Sequence, residues 1–462
     1  MLRFQYISCQ FDTLHDLPGP RTIREALRNL PEGLDATYDR ILQSIKPKYR
    51  KPVANILKWL AFSARPLRVQ EVAEVFILDR DRKPPFDEED RLNLPESVLN
   101  YLSSLVTRVA VTNSRYDNER NGQKIIEVRL AHFSIKEYLI SPRIVQGPAE
   151  YFSTTEADAH LHISEACLAY HLHLSLGTRV TYQEAKRFAL WKYAGRYWVH
   201  HLEQVPRASW TSFASEMALK ALAPSSQSLL NMVRIFDPES GESANWKRSF
   251  SGLAAPLYYM DGFGAIQLTE LLLDNGVNID EFSSGMCGFA LQIAAANGNE
   301  SLMQLLLDRG ADINIQGGYF GSALQAAVIN GNESHVQLLL DRGADVNIQG
   351  GFHGSAIAAA ASIGSKGKIQ LLLDRGAYIN AKSGYYGTAL YAALAADKID
   401  SAELLVSRGA EVNLPGPERE EIFRRLADVE LPTVLERLCK FQEDPSGYFA
   451  GRRRTGNGMD TS

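Results

Sequence analysis

In the second half of the chain, apolar and polar positions recur with a long period. LLLDRGADIN at Leu305–Asn314 returns as LLLDRGADVN at Leu338–Asn347 and as LLLDRGAYIN at Leu371–Asn380, 33 residues apart each time. LLVSRGAEVN (Leu404–Asn413) continues the series at the same spacing, and LLLDNGVNID (Leu271–Asp280) precedes it at an offset of 34. Self-similarity at this period predicts a stacked-repeat solenoid. Within the unit Gly321–Gly343, Ala323, Leu324, Ala326 and Ala327 start a first helix of mostly small residues, which lets neighbouring first helices approach closely. Gly331 ends that helix and Asn332 is placed to cap the next. Val336, Leu339 and Leu340, at i, i+3 and i+4, give a second helix its apolar stripe. Arg309, Arg342, Arg375 and Arg408 fall in the last turn of that helix, where a cation meets the negative end of the dipole. Gly310, Gly343, Gly376 and Gly409 follow, at the position that prefers a left-handed backbone. One unit cannot bury its own apolar face, so several repeats must fold together.

The first half has shorter periods. Val53, Ile56, Leu57, Leu60 and Ala61 predict one amphipathic helix, and Val72, Val75 and Phe76 a second. A charged loop, Arg80–Asp90, interrupted by Pro84 and Pro85, separates them from a third helix expected over Glu96–Val106, with Val98, Leu99, Leu102 and Leu105 inward. Two strands follow. Leu105–Thr112 is rich in Val, and Ile125–Ala131 alternates, with Ile126, Val128 and Leu130 on one face and Glu127 and Arg129 on the other. Asn113–Lys124 joins them as a polar loop containing Gly122. Three helices and a hairpin are the ingredients of a winged helix; Phe133–Ile140 adds a short helix.

At 462 residues the chain exceeds one ordinary core, so two to four domains are expected. A net charge of −5 argues against bulk nucleic-acid binding. Cys9, Cys167, Cys287 and Cys439 are scattered and make no disulfide or metal pattern. No secretory signal is recognisable and the apolar runs are short of a membrane span, which predicts a reducing, cytoplasmic setting. The tail Gly451–Ser462 lacks apolar residues and reads as disordered, with Arg452–Arg454 either a solvated triplet or a nuclear signal.

The repeats resemble ankyrin repeats. The T-P-L-H-x-A signature is matched by GFALQIA (Gly288–Ala294), GSALQAA (Gly321–Ala327), GSAIAAA (Gly354–Ala360) and GTALYAA (Gly387–Ala393), with APLYYM (Ala255–Met260) a fifth that keeps the proline; none keeps the histidine. Five repeats are expected over 251–415. WLAFSARPLRVQEVAEV (Trp59–Val75), FDEEDRL (Phe86–Leu92), SLVTR (Ser104–Arg108) and RLAHFSIKEYLIS (Arg129–Ser141) resemble the winged-helix domain of fungal NACHT-ankyrin proteins, a domain type named after GPI inositol-deacylase. FQYISCQFDTL (Phe4–Leu14) and LPEGLDATYDRIL (Leu30–Leu42) are similar to the end of the NACHT NTPase module, and AHLHISEACLAYHL (Ala159–Leu172) to the helical linker of that architecture. The resemblance implies a mainly α fold: a NACHT remnant over 1–46, a winged-helix domain with one β-hairpin over 49–145, a helical linker bundle over 150–250, the ankyrin solenoid, capping helices over 416–445 and a disordered tail over 446–462. It implies the C-terminal part of a receptor of the signal-transducing NTPase (STAND, NOD-like) class. The phosphate-cradling G-x-x-x-x-G-K-[ST] loop of such a module is absent from this sequence; GSKGK (Gly364–Lys368) has the wrong spacing and lies inside a repeat.

Candidate chemistry is sparse. The string beginning at His132, H-F-S-I-K-E-Y-L, resembles the H-x-S-x-x-E-F segment of NACHT-type receptors, whose His contacts the terminal phosphate of ADP; His132 would be that contact, or a buried His at a strand–helix junction bonding to backbone. His160, His162, Cys167, His171 and His173 are close in sequence, but residues i and i+2 of a helix point to nearly opposite sides, so no metal site is expected. Phe188, Trp191, Gly195, Trp198 and Leu202, spaced 3-4-3-4, predict a packing stripe between helices. GGYFG (Gly317–Gly321), GGFHG (Gly350–Gly354) and SGYYG (Ser383–Gly387) put Tyr319, Phe352 and Tyr385 in one column and Phe320, His353 and Tyr386 in the next. Such tips either anchor a protein partner or pack on one another to close the solenoid edge; a concave face near Gln325, Ala358 and Tyr391 is the other place for recognition. The third helix, with one basic residue and one acid, is not the basic helix of a DNA reader. The expected protein is a non-catalytic interaction protein without cofactor or metal, its array binding a protein partner and neither membrane nor nucleic acid. The alternatives are the distal part of a longer NTPase switch and a truncated regulator that binds a full-length NACHT relative in trans.

Overall fold

The computed structural model describes residues 33–111, 125–175, 181–237, 246–283 and 287–411. The N-terminal strings around Phe4–Leu14, the loop over 113–124, the capping helices over 416–445, the tail, Cys9 and Cys439 lie outside these residues. The molecule is mainly helical and divides into two compact units, Met1–Phe250 and Ser251–Ser462.

In the first unit, α1 (Leu34–Ser44) and α2 (Pro47–Phe62) precede β1 (Leu67–Arg68) and α3 (Val69–Ile77). Helix α2 buries Val53, Ile56, Leu57, Trp59 and Phe62, close to the predicted stripe. Helix α3 is held at its start by the Glu71 carboxylate, which accepts from the Arg68 backbone N–H and is gripped by the two Arg65 nitrogens at 2.6 and 2.8 Å. The expected third α-helix is instead two 3-10 segments, Pro95–Tyr101 and Ser103–Leu105. Ser97, Asn100, Ser103 and Ser104 are residue types that compete for backbone hydrogen bonds and weaken a regular α-helix. Val98, Leu102 and Leu105 still reach the core, and Leu99 is half-buried. Strands β2 (Val106–Val111) and β3 (Ile125–Leu130) pair antiparallel, and β1 joins on the far side of β3, giving the order β1-β3-β2. Glu127, expected on the solvent face, is buried, because β3 is the central strand with Arg68 and Val109 on either side; Arg129 reaches it at 2.7 Å.

Short helices α4 (Phe133–Leu139) and α5 (Pro142–Val145) lead to α6 (Glu156–Ser175), α7 (Tyr182–Arg187), α8 (Trp191–Glu203), α9 (Ser212–Ala221) and α10 (Gln227–Ile235). Helix α6 is buried on several sides, through Ala159, Ile163, Cys167, Leu168 and Tyr170, which explains its lack of a one-sided apolar stripe. Trp191, Trp198 and Leu202 are fully buried on α8. A Cβ at Gly195 would lie 2.5 Å from Ile235 Cδ1, so glycine lets that methyl of α10 lie against the α8 backbone. Phe188 precedes the helix and is half-buried.

The second unit stacks five helix pairs: α11 (Pro256–Phe263) with α12 (Ile266–Asp274), α13 (Ala290–Asn297) with α14 (Glu300–Asp308), α15 (Ala323–Asn330) with α16 (Glu333–Asp341), α17 (Ala356–Ile363) with α18 (Lys366–Asp374), and α19 (Ala389–Ala395) with α20 (Ile399–Ser407). First helices begin on Ser322, Ser355 and Thr388, whose hydroxyls accept from N–H groups three residues on. Alanines fill the contacts between first helices: Ala326, Ala327, Ala359, Ala360, Ala392 and Ala393 are fully buried. Gly310, Gly343, Gly376 and Gly409 take the predicted left-handed conformation. Gly331 ends its helix but with φ −77°. Its carbonyl and that of Val328 each accept from the Lys368 ammonium at 2.6 Å, so a buried cation of the next repeat finishes that helix.

The Asn of each LLLDRGAxxN run stitches repeats together. Asn347 Nδ2 donates to Gly376 O at 3.1 Å and its Oδ1 accepts from Tyr378 N at 2.7 Å; Asn314 and Asn380 repeat the pair of bonds one unit either side. Arg309, Arg342 and Arg375 each reach the Asp that ends the previous second helix, Asp274, Asp308 and Asp341, at 2.8 Å. These pairs face solvent and add little stability.

Candidate partner-binding surface

Between the second helices α14, α16 and α18 and the first helices that follow them, the chain makes a short hairpin. Its closures are a bridge Gly317↔Gly321, strands β4 (Gln349–Gly350) with β5 (Gly354–Ser355), and a bridge Ser383↔Gly387. The tips lie directly on one another. Phe352 N donates to Tyr319 O at 2.8 Å, and Tyr385 N donates to Phe352 O at 2.9 Å. This backbone bond sets the ring spacing. Tyr319 and Phe352 stack with centroids 5.3 Å apart and planes 14° apart; Phe352 and Tyr385 stack at 5.2 Å and 13°. Each such contact contributes about 0.5–1.5 kcal/mol beyond area burial.

The first column is therefore a ladder whose ring faces are turned to one another. Tyr319, at one end, is 43% exposed, and Phe352 and Tyr385 are half-buried. The second column departs from expectation. Phe320 is buried beneath Tyr319, which meets it edge-on at 5.4 Å, so it is core and not a contact residue. His353 and Tyr386 are half-buried, packed edge-on against Phe352 at 5.1 and 5.8 Å. His353 Nδ1 lies 3.2 Å from Ser362 Oγ, and burial holds its imidazole below the usual pKa. Burial likewise raises the Tyr386 phenol. The structure unites all six aromatic positions, but only the first column and the outer parts of His353 and Tyr386 reach solvent.

The expected concave-face positions are a correction. Gln325, Ala358 and Tyr391 are buried. They sit in the first turn of their first helices. The Gln325 amide, turned so that its nitrogen faces carbonyls, donates to Phe320 O and to Gly350 O at 3.0 Å. Gln292, one repeat earlier, donates to Ile315 O. Glutamine thus ties helix to hairpin at the position where the signature has histidine.

His132 lies in the first unit as the N-cap of α4. Its Nδ1 accepts from Ser134 N at 3.2 Å and lies 2.7 Å from Ser134 Oγ, which in turn meets Tyr38 OH at 2.8 Å. The backbone-bonded alternative is thus the geometry present. Nε2 is buried without a hydrogen-bond partner.

The histidines of α6 do not gather round a common point. His171 Nε2 bonds Ser228 O at 3.1 Å and its Nδ1 accepts from Trp191 Nε1 at 3.3 Å. His160 Nδ1 lies 2.8 Å from Nδ1 of His201, whose Nε2 lies 2.8 Å from Tyr193 OH. Sequence reading overlooked His201; the adjacent pair His200–His201 at the end of the Trp191–Leu202 stripe was the available signal. Among the described residues no group of three or more His, Cys, Asp or Glu is placed to hold a metal ion, and no helix is long and apolar enough to cross a membrane.

Comparison with known proteins bears on the array and on part of the chain as a whole. The family description "Ankyrin repeats (3 copies)" matches residues 253–350 and 324–415. A curated protein of Monascus ruber, named azaphilone pigments biosynthesis cluster protein L, is 33% identical over 299 residues. That alignment covers 62% of this chain and 61% of the relative, so the chain spans about three fifths of the curated protein it matches.

Proposed function

We propose that this chain is a non-catalytic interaction protein whose ankyrin array captures a protein partner along the hairpin edge. The observation that carries this is the ladder Tyr319–Phe352–Tyr385, three aromatic rings in register on consecutive tips with one end open to solvent. Stacking pre-orders the rings, so a partner meets a rigid apolar strip at little entropic cost. The absence of a G-x-x-x-x-G-K-[ST] loop from the sequence supports a role without nucleotide chemistry.

Within the first unit we propose the winged-helix domain of a NACHT-type receptor over 49–145 and its helical linker over 150–250. The supporting features are the order helix, strand, helix, 3-10 turn and β-hairpin, and the strings quoted above. In that setting the array is the sensor and the first unit the regulatory middle, with a cytoplasmic location. On this reading His132 keeps the position of a phosphate contact but acts here as a helix cap. The likeness to the Monascus ruber protein adds a context, a fungal biosynthetic cluster, without adding an activity. Isothermal titration of the chain with ATP, GTP and ADP should give no binding heat; micromolar affinity for any of them would return His132 to phosphate recognition and overturn the non-catalytic reading.

Replacing Tyr319, Phe352 and Tyr385 together by Ser tests the surface. As an interaction strip, the column should lose partner capture in a pull-down by tenfold or more. The melting transition should fall only by what three part-exposed rings supply, about 1–3 kcal/mol. A folded triple variant that keeps its partner would move recognition off this edge.

A further inference from the structure

In the first unit, β2 is an edge strand. β3 occupies one side of it, and among the described residues no segment pairs with the other. The register fixes which groups are left. Ala131 N donates to Leu105 O, so Leu105 and Ala131 form a hydrogen-bonded pair. Hydrogen-bonded and non-bonded pairs alternate in an antiparallel ladder, so Thr107, Val109 and Val111 bond to β3. Val106, Arg108 and Ala110 therefore turn their N–H and C=O groups outward. The strand is VTRVAV: six residues, rich in β-formers, without the proline or lysine that blunts natural edges.

A groove of about 660 Å³ runs beside the first half of this edge, lined by Leu94, Leu99, Glu96 and Asn100 on the 3-10 side and by Val106–Arg108 on the strand side. Side chains of consecutive strand residues point to opposite faces, so three consecutive lining residues mean that the groove is open along the edge and not on one face. Leu94 is 65% exposed there. Arg108 and Glu96 are exposed and, among the described residues, make no ion pair. The groove thus offers a row of backbone donors and acceptors, an apolar patch at Leu94 and Leu99 within a largely polar lining, and two opposite charges that make no ion pair among the described residues.

We propose that this edge docks an extended peptide segment of a protein partner, added as a fourth strand beside β2. The segment carries a carboxylate side chain opposite Arg108 and an apolar side chain over Leu94 and Leu99. Backbone pairing supplies affinity that is independent of sequence, and the groove reads alternate side chains. Arg108 can grip a carboxylate with two parallel N–H donors. A second copy of this chain fits less well, because antiparallel pairing of VTRVAV with itself brings the two Arg108 guanidinium groups near each other.

The test uses the full chain and a displayed library of eight-residue peptides with β-branched residues at alternate positions and the others randomised. Enriched peptides should share an acidic residue at one position. Their affinity should fall tenfold or more on Ala110→Pro, which removes an outward N–H and leaves the bonds to β3 intact. Arg108→Glu, a surface exchange that does not touch the ladder, should turn the preference from acidic to basic peptides and keeps the test decisive if Ala110→Pro fails to fold. All five tryptophans precede residue 250, so fluorescence melts report the first unit's fold in both variants. No enrichment over the unselected library, binding indifferent to Arg108→Glu, or a dimer in sedimentation that Ala110→Pro dissolves would each overturn the proposal.

Discussion

Exchanging Gly354 for Ala should destabilise the repeat array by about 3 kcal/mol or more, whereas the same exchange at Gly343 should cost about 1 kcal/mol. Both glycines have left-handed backbones, with φ of 81° and 94°. That strain is common to the two variants and amounts to about 1–2 kcal/mol. Their surroundings differ. A Cβ on Gly343 meets nothing within 4 Å, because the end of the second helix faces water. A Cβ on Gly354 would lie 2.2 Å from Ser383 C and 2.3 Å from Gly384 N, both backbone atoms of the next hairpin. Nothing flexible can yield, so the tips must separate, and the Tyr385 N to Phe352 O bond goes with them. Coupling between neighbouring repeats should spread the loss to α17 and α19. In urea, far-UV circular dichroism should show an earlier transition for Gly354→Ala while tryptophan fluorescence, which reports only the first unit, stays unchanged. Hydrogen exchange should quicken across 356–363 and 389–395. Equal midpoints for the two variants would mean that the hairpins do not touch backbone to backbone.

That contrast marks where the sequence was legible. The 33-residue period gave the helix pairs, the caps Asn332 and the row of left-handed glycines, because each is a local choice written into the residue itself. The glycine-flanked tips read as partner anchors or as rings packed on one another. Their glycines are in fact contact residues, since close approach of two backbones and conformational freedom select the same residue type. Position 325 misled for a related reason. Gln292, Gln325, Ala358 and Tyr391 vary at one place in the repeat, and variation resembles exposure. All four are buried, and Gln292 and Gln325 bond to carbonyls of the segment that follows their helices. In the first unit, the 3-10 form of Pro95–Leu105 was hidden because its apolar spacing, Val98, Leu102 and Leu105, suits an α-helix equally well. Partner identity is not written in such positions at all, because the aromatic ladder is built from repeat-to-repeat contacts that every partner would meet in the same form.

The first unit should lose about 3 kcal/mol of stability between pH 6.5 and pH 5 through two buried histidines, His171 and His201. Neither exposes any surface. Burial is the main cause that holds the His171 imidazole down to about 4, against the backbone bond to Ser228 that favours its charged form. Burial, then the neighbouring His160 and His200, hold His201 down to about 2. The facing groups give a proton little room: His201 is flanked by the His160 ring and the Tyr193 hydroxyl, with Glu156 3.9 Å from His160, and His171 faces the Trp191 N–H and the Ser228 carbonyl. Because the folded pKa lies below the unfolded value near 6.5, the stabilisation is complete well above pH 6.5 and begins to fall around it. Below it the unfolded chain takes up protons that the native unit cannot. Stability then falls by about 1.4 kcal/mol per pH unit for each histidine until the folded pKa is reached. Urea midpoints followed by tryptophan fluorescence should therefore drop steeply from pH 6.5 to 5. In His171→Asn, which keeps a donor for Ser228 but cannot titrate, about 1.5 kcal/mol of the loss between pH 6.5 and 5 should vanish. A slope unaltered in His171→Asn would show that His171 already carries its proton in the folded unit, and that carboxylates, not the buried imidazoles, set the acid limit.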